Sequence, residues 1–544
     1  MLMDERRDYR FVWIFLFALL LLTRLPAVTT YFGIDNVNLA LSLEKFDPRV
    51  HQPQPPGYPF FVGFARLVNF FFDDARQTFL AVSLLTTGLS LVAAYALGAR
   101  MFSRWAGAAA AFLLVVNPVF WHASVDPNGG PIRPFLALFS LLTGYCCWRC
   151  WNGEKSFAIW GAIALGVGSG FRPDLLAFLL PAWFLSTCVG TRSWRTVLAG
   201  CAVLSGIVVM WTATLLLSMR GGSLAEDFQI FRNLMLDYAV DQSRPESVVL
   251  GSSVMAWLKQ VNRLVIWNGL AVITWIWAVP LCLREIRKVA GSHGAFFFIW
   301  LVPGLIVQAL VHVGAPGHTV FSVVALCILG GYVLSVVRSR DLALTSALAF
   351  NAMLFLNLFA VPTDASNLPD RTPSIRNAVL FGTFETSLLS VRSMDEITRV
   401  TLKEIEQFKP KDRPSVIITT DRHKEQWFMN WLIGRYYLPN DDMWVLYYDI
   451  PRKRFERIRR DTRLEMRDVA PYRIPIFREG RILWLIEPHS DIHRQIASTQ
   501  QLNGGRYVFY SDITPESPAF MIDQFEIVPT LFGFMPPQIN QPQP

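Results

Sequence analysis

The chain has 544 residues, of which 52% are hydrophobic and only 17% charged, with a mean hydropathy of +0.34; an ordinary soluble domain is about one-quarter charged. These values exclude an intrinsically disordered chain, a coiled coil and a plain cytosolic enzyme. The formal charge of +8, from 50 Lys and Arg against 42 Asp and Glu, reads as the arginines that decorate one side of a membrane protein, and no nucleic-acid partner is expected.

From Phe11 to about Val361 the chain is a series of long apolar runs separated by short polar breaks. The hydrocarbon core is roughly 30 Å thick, so a crossing helix needs about 20 apolar residues. In lipid its backbone polar groups must be satisfied internally, so the runs are expected to be helices. Eleven spans are expected, near 11–30, 78–99, 105–121, 134–151, 156–170, 172–189, 196–218, 264–283, 295–313, 316–337 and 341–361. Arg6, Arg7 and Arg10 give the first run the start of a signal peptide, but ten further runs favour an uncleaved first helix. The seven cysteines, Cys146, Cys147, Cys150, Cys188, Cys201, Cys282 and Cys327, all lie in or beside apolar runs and read as buried thiols, not as a disulfide framework.

Gly57–Phe72 is the ambiguous segment: apolar but short, opened by Pro-Pro-Gly and carrying Arg66. If it does not cross, then Arg6/Arg7/Arg10, Arg100/Arg104, Arg149/Lys155, Arg192/Arg195, Arg284/Arg287/Lys288 and Arg338/Arg340 all fall on the cytoplasmic side. The positive-inside rule therefore favours an interfacial helix, with the amino terminus inside and the carboxyl-terminal region outside. The stretches Tyr31–Asp74, His122–Arg133 and Arg220–Asn262, with the turns Phe171–Asp174 and His312–His318, then share the outer face. After Pro362 the composition becomes that of a soluble domain, so the expected division is 1–361 membrane and 362–544 extracytoplasmic. In the tail, Ser415–Thr420, Met443–Asp449, Ile482–Ile486 and Arg506–Tyr510 read as strands and Lys424–Tyr437 as a helix, a small α/β domain. The basic cluster Arg452–Arg460 reads as a solvated face. The tail has no glycine-rich phosphate loop and no metal-ligand spacing.

Asp35 is the first carboxylate after the first span, in YFGIDNVNLAL. It fits a helix N-cap; it equally fits a carboxylate held at the membrane surface, able to accept a proton from a hydroxyl. The loop continues to HQPQPPGYPFF, residues 51–61. Pro55 and Pro56 stiffen it, Gly57 permits a tight turn into the next helix, and with His51 and Tyr58 it suits a lid over a lipid-accessible groove. His51 itself reads as a surface histidine or a phosphate ligand.

An acidic residue just outside the first helix, followed by H-x-P-x-P-P-G-Y-P, resembles the membrane glycosyltransferases of the GT-C class. That class includes lipid A aminoarabinose and galacturonic acid transferases and protein O-mannosyltransferases. GVGSGFRPDLLAFLLP (166–181) and VHVGAPGHTVFSVVAL (311–326) are similar to further elements of that class, and the resemblance covers roughly residues 10–360. It implies a mainly α, polytopic transmembrane bundle with an extracytoplasmic α/β domain. It implies transfer of a sugar from a polyprenyl-phosphate donor to a lipid, glycan or protein acceptor on the outer face of a bacterial inner membrane. Asp35 matches the family's first-loop catalytic Asp. Where many O-mannosyltransferases have a second acidic residue directly after it, this chain has Asn36, and Asp126 in HASVDPNGG is the available substitute, or else an Asp-Pro turn initiator. Arg172, at membrane depth, is either salt-bridged to Asp174 or neutralises the donor phosphate. Arg133 is a further candidate for that role, as are His312 and His318 around their Pro-Gly turn. A divalent cation is compatible with this chemistry, though no spacing fixes its ligands. Two other readings are a transporter or lipid flippase, against which stand the absence of paired halves and the clustering of candidates at one face, and a non-catalytic anchor for the tail.

Overall fold

The computed structural model describes residues 10–219, 223, 225–233, 254–289, 291–311, 315–355, 386–420, 431–441, 443–449, 454–461, 466–469, 473–522 and 525–530. Two compact units form: one from the described residues up to Thr29 and from Asn38 to Arg392, the other from Thr30–Val37 and the described residues from Ser393 onward.

In chain order the helices begin α1 (Arg10–Arg24), α2 (Ile34–Glu44), α3 (Pro59–Phe72), α4 (Ala75–Met101), α5 (Arg104–Val116), α6 (Pro118–Val125), α7 (Pro134–Trp151), α8 (Phe157–Phe171), α9 (Asp174–Thr191) and α10 (Trp194–Ser218). They continue with Val254–Val272, Leu283–Val289, Ser292–Leu310, Val320–Val336 and Arg340–Phe355. Each of the eleven expected segments overlaps helical structure, two of them as bent pairs, while 312–313 and 356–361 lie outside the described residues. Among the described residues, six helices are long and apolar enough to cross a membrane, or up to eight if each bent pair is one span. The count of eleven is therefore not reproduced by length and composition; α8, for example, is apolar but has only 15 residues. The chain is a multi-pass integral membrane protein of mainly helical architecture.

Two expected spans are broken. The run 105–121 becomes α5 and α6, bent by 57°, and 264–283 falls on Gln260–Val272 and Ile276–Val289, bent by 56°. The first break has a local cause in Asn117–Pro118. Pro118 offers no backbone N–H to continue α5. Asn117 instead caps α6, its side chain accepting from Val119 N at 3.0 Å and Phe120 N at 3.1 Å. Buried Arg24 answers the carbonyl freed at the end of α5, donating to Val115 O at 2.5 Å and to Ser124 Oγ at 3.2 Å.

Small residues set the helix spacing. A Cβ on Gly98 would lie 2.9 Å from Gly107 Cα, so α4 and α5 approach backbone to backbone. The Trp183 indole fills a notch in which a Cβ on Gly161 would lie 2.8 Å away and one on Gly200 2.6 Å away, locking α8, α9 and α10. Its N–H donates to Ala158 O at 2.9 Å.

The membrane unit has two distinguishable ends. Glu154 pairs with both Arg100 and Arg149. His293 Nε2 lies 3.3 Å from Met101 O, the Tyr332 hydroxyl donates to Glu285 O at 3.0 Å, and Arg340 lies over the Trp105 ring. A Cβ on Gly190 would collide with Cys150 O, bringing the end of α9 to the end of α7. Arg100, Arg149 and Arg340, with Glu285 and the end of α9, thus gather at one end. The 18 residues of α7 carry the chain about 27 Å to the other. Both ends of α3 lie at that other end, because Phe60 and Phe64 pack on Phe171 and Asp73 passes directly into Asp74, the N-cap of α4. So α3 does not traverse the unit.

In the smaller unit, seven strands form a sheet of order β4-β3-β2-β1-β6-β8-β7, and three form a second sheet, β5-β10-β9. The strands are β1 (Ser415–Thr420), β2 (Met443–Asp449), β3 (Arg454–Asp461), β4 (Met466–Val469), β5 (Arg473–Phe477), β6 (Arg481–Leu485), β7 (Asn503–Gly504), β8 (Phe509–Asp512), β9 (Phe520–Ile522) and β10 (Phe525–Thr530). The central trio β2-β1-β6 is parallel, and its buried side chains, including Ile418, Trp444, Ile482 and Trp484, form the core. The first three expected strands match β1, β2 and β6, while the expected strand 506–510 begins later, at Phe509. The cause is Glu404, whose carboxylate takes the N–H groups of Arg506, Tyr507 and Val508 at 2.6, 2.8 and 2.9 Å. Of the expected helix 424–437, Trp431–Tyr437 is observed and 424–430 lies outside the described residues. Of the basic cluster, Arg454–Arg460 lies on β3.

Candidate functional site

The end of the membrane unit opposite the arginine groups carries most of the predicted site residues. An aromatic cluster organises it: Phe135 stacks on Phe171 with centroids 4.4 Å apart, and Phe61 and Phe64 meet Phe135 edge-on. This joins the starts of α3 and α7 to the end of α8. Each element delivers a polar residue beside the cluster. Tyr58 precedes α3, Arg133 precedes α7, and Arg172 follows α8.

Arg172 is buried and makes a two-pronged ion pair with Asp174, Nε to Oδ1 at 3.2 Å and Nη2 to Oδ2 at 2.7 Å. Its guanidinium also lies over the Tyr58 ring, 5.7 Å from the centroid. Thus HQPQPPGYP and GSGFRPD, distant in sequence, meet through a cation–π contact. Tyr58 and His51 both have left-handed backbones, with φ of 45° and 57°, and Gly57 has φ 95°. A side chain at Gly57 would also push on the end of the Leu215 side chain, but it is the positive φ that calls for glycine there. His51 ends a short turn whose N-cap, Asp47, binds Arg49 at 2.8 Å. Burial pushes the Asp47 carboxyl up. The hydrogen bond and charge of Arg49, with Lys45, outweigh that and hold it below the usual carboxylate range.

Asp126 and Arg133 are both buried and form an ion pair through Oδ2 and Nη1. The other oxygen, Oδ1, accepts from Asn128 N at 2.8 Å, so the turn-initiator geometry and the ion pair coexist. A Cβ on Gly317 would collide with Arg133 Cδ, which brings the Pro-Gly turn of 315–319 onto this arginine. His318 is half-buried in that turn, and its carbonyl accepts from Gln308 Nε2 at 2.6 Å. His312 lies outside the described residues. His122, which sequence reasoning missed, is buried with Nδ1 3.8 Å from Asp126 Oδ2; its signal was the i, i+4 spacing from Asp126.

Asp35 is half-buried and is the second residue of α2, in its first turn. It is therefore not the N-cap that its position suggested; helix dipole and first-turn placement favour a carboxylate there all the same. It belongs to the smaller unit. Among the described residues, no three His, Cys, Asp or Glu side chains are grouped to hold a metal ion.

Residues 53–217 match the family described as dolichyl-phosphate-mannose-protein mannosyltransferase. No curated protein matches the sequence. Among solved structures, apo ArnT from Cupriavidus metallidurans has a TM-score of 0.57 at 15% identity, covering 93% of this chain and 99% of that one. The same protein bound to undecaprenyl phosphate has a TM-score of 0.58 at 15% identity, covering 92% of this chain and 98% of that one. The chain therefore has the fold of ArnT over nearly its whole length.

Proposed function

We propose that the protein is a GT-C membrane glycosyltransferase. It moves a sugar from a polyprenyl-phosphate donor to a lipid, glycan or protein acceptor on the outer face of a bacterial inner membrane, with the amino terminus cytoplasmic and the α/β unit extracytoplasmic. The observation that carries this reading is the gathering of Arg133 and Arg172, both buried, around one aromatic cluster at one end of the membrane unit. Buried cations at membrane depth are costly and mark ion or substrate sites. The fold supports it, since ArnT has also been solved with undecaprenyl phosphate bound.

In this reading Asp35 takes the proton of an acceptor hydroxyl. The acceptor oxygen attacks the anomeric carbon in line, forming the new C–O bond with inversion, and the bond from that carbon to the phosphate oxygen breaks with its electron pair. The leaving group is already a phosphate, so it needs charge stabilisation more than protonation. Arg172, Arg133, His318 and His312 supply it. The phosphate displaces Asp174 from Arg172, while Asp126 holds Arg133 in place and does not act as a second base. The loop with His51, Pro55, Pro56, Gly57 and Tyr58 covers the donor, and Phe60, Phe61 and Phe64 line its lipid approach.

The test is Asp35→Asn in purified, membrane-reconstituted protein, assayed with a panel of undecaprenyl-phosphate sugars. Transfer is expected to fall by at least about 100-fold, as for loss of a general base. Full activity in a well-folded variant would remove Asp35 from the role. Movement of lipid across the bilayer without transfer would favour the flippase reading instead.

A further inference from the structure

The segment that leads into Asp35 is held by side chains of the α/β unit. Thr30 N and Tyr31 N both donate to Asp395 Oδ1, at 2.8 and 2.7 Å. Phe32 N donates to the Tyr437 hydroxyl at 2.6 Å. The Tyr31 ring meets Tyr437 edge-on with centroids 5.4 Å apart, and Phe32 packs against Tyr436 at 5.8 Å. Asp395 lies on the helix Leu388–Phe408, and Tyr437 ends the helix Trp431–Tyr437. Residues 30–33 belong to no helix or strand. Their three consecutive N–H groups are therefore satisfied by side chains contributed from more than 360 residues away in sequence. Two of the bonds go to a carboxylate, which makes them the strong, charge-assisted kind. Asp35 follows Phe32 by three residues, in the first turn of α2, so the clamp fixes the backbone that leads directly into it.

We propose that Asp395 and Tyr437 are positioning residues for the catalytic carboxylate, so that the α/β unit takes part in transfer by fixing the segment that carries Asp35. This rests on the reading of Asp35 as the base. A misplacement of about 1 Å at a reacting group can cost on the order of 100-fold in rate, so a clamp on the backbone three residues away acts on kcat. It leaves donor binding, assigned above to Arg133, Arg172 and the histidines, unchanged.

The experiment uses full-length protein in nanodiscs and whichever undecaprenyl-phosphate sugar of the panel the wild type turns over. Asp395→Ala is expected to lower kcat about 10-fold or more with donor KM within about twofold. Asp395→Asn keeps an acceptor oxygen at the same place and should recover most of that loss. Tyr437→Phe keeps the ring and loses one hydrogen bond, for an intermediate fall of about threefold. In the Asp35→Asn background, Asp395→Ala should change the residual rate no further, because it acts through the removed group. Wild-type kcat in a folded Asp395→Ala protein, or a fall that Asp395→Asn does not recover, overturns the proposal while Asp35→Asn remains inactive. If Asp395→Ala fails to accumulate, Tyr437→Phe decides by the same split: lowered kcat at constant KM supports the clamp, and unchanged kcat overturns it. An active Asp35→Asn protein is a separate outcome that sinks the base itself.

Discussion

The two units differ in where their ion pairs are buried. In the membrane unit the buried arginines each have a specific partner: Arg24 a backbone carbonyl at a helix break, Arg133 the carboxylate of Asp126, Arg172 that of Asp174. In the α/β unit the sheet core is Ile, Trp and Phe with Leu446, Arg435 is buried, and pairs such as Glu396–Arg399 stand in solvent. Burying a charge in lipid surroundings is tolerated only with a partner, and the desolvation makes the loss of that partner severe. An exposed pair is screened and contributes little. The comparison therefore separates charges that shape a site from charges that keep a surface soluble.

The sharpest way to break this contrast is Arg133→Ala. It leaves the Asp126 carboxylate buried beside His122 without its cation, at a cost on the order of 3–5 kcal/mol. Thermal unfolding in detergent should drop markedly and transfer should be lost. Replacing both partners, as Asp126→Leu with Arg133→Met, should restore much of the stability but not the activity. If Arg133→Ala melts like the wild type, the pair is not buried in the sense argued.

The Asp47–Arg49 pair is intermediate and gives a pH signature. Arg49 holds the folded-state pKa of Asp47 below its ordinary value. A depressed carboxyl contributes stability that is fully present above the unfolded pKa, about 3.9, and is lost as pH falls through the lower, folded value. Arg49→Gln should therefore melt below the wild type above about pH 4, and the gap should close as the solution is acidified further. A gap that stays constant with pH would mean that Arg49 acts by packing alone.

The contrast also explains what could be read from the sequence. Hydrophobic runs impose helices in lipid through local backbone satisfaction, so the described part of every expected run is largely helical, two of them bent, and β1 and β2 match their expected ranges to the residue. Arg100, Arg149 and Arg340 gather at one end of the membrane unit, and both ends of the short, Arg66-bearing α3 lie at the other. Relations made by distant side chains were not legible. The bend at Asn117–Pro118 has a local signal, but the completing donor, Arg24, lies over 90 residues away. The shortened β8 depends on Glu404, and the place of Asp35 depends on Asp395 and Tyr437. Within the site, the Arg172–Asp174 pair was visible from its spacing, whereas its contact with Tyr58 required the fold.

The smallest effect belongs to Arg399→Ala. Its guanidinium meets Glu396 at 2.6 Å one helical turn away, with both side chains about half exposed. Pairs of this kind hold two long side chains in one geometry for a screened attraction, and the gain and the entropic loss nearly cancel. Arg399 lies four residues from Asp395 on the same helix, so the substitution also isolates the clamp from its surroundings. The expected result is an unchanged melting temperature and unchanged kcat at both low and high salt. A fall in kcat with no fall in melting temperature would extend the clamp along this helix to Arg399, and would show that exposure alone does not mark a charge as dispensable in the α/β unit.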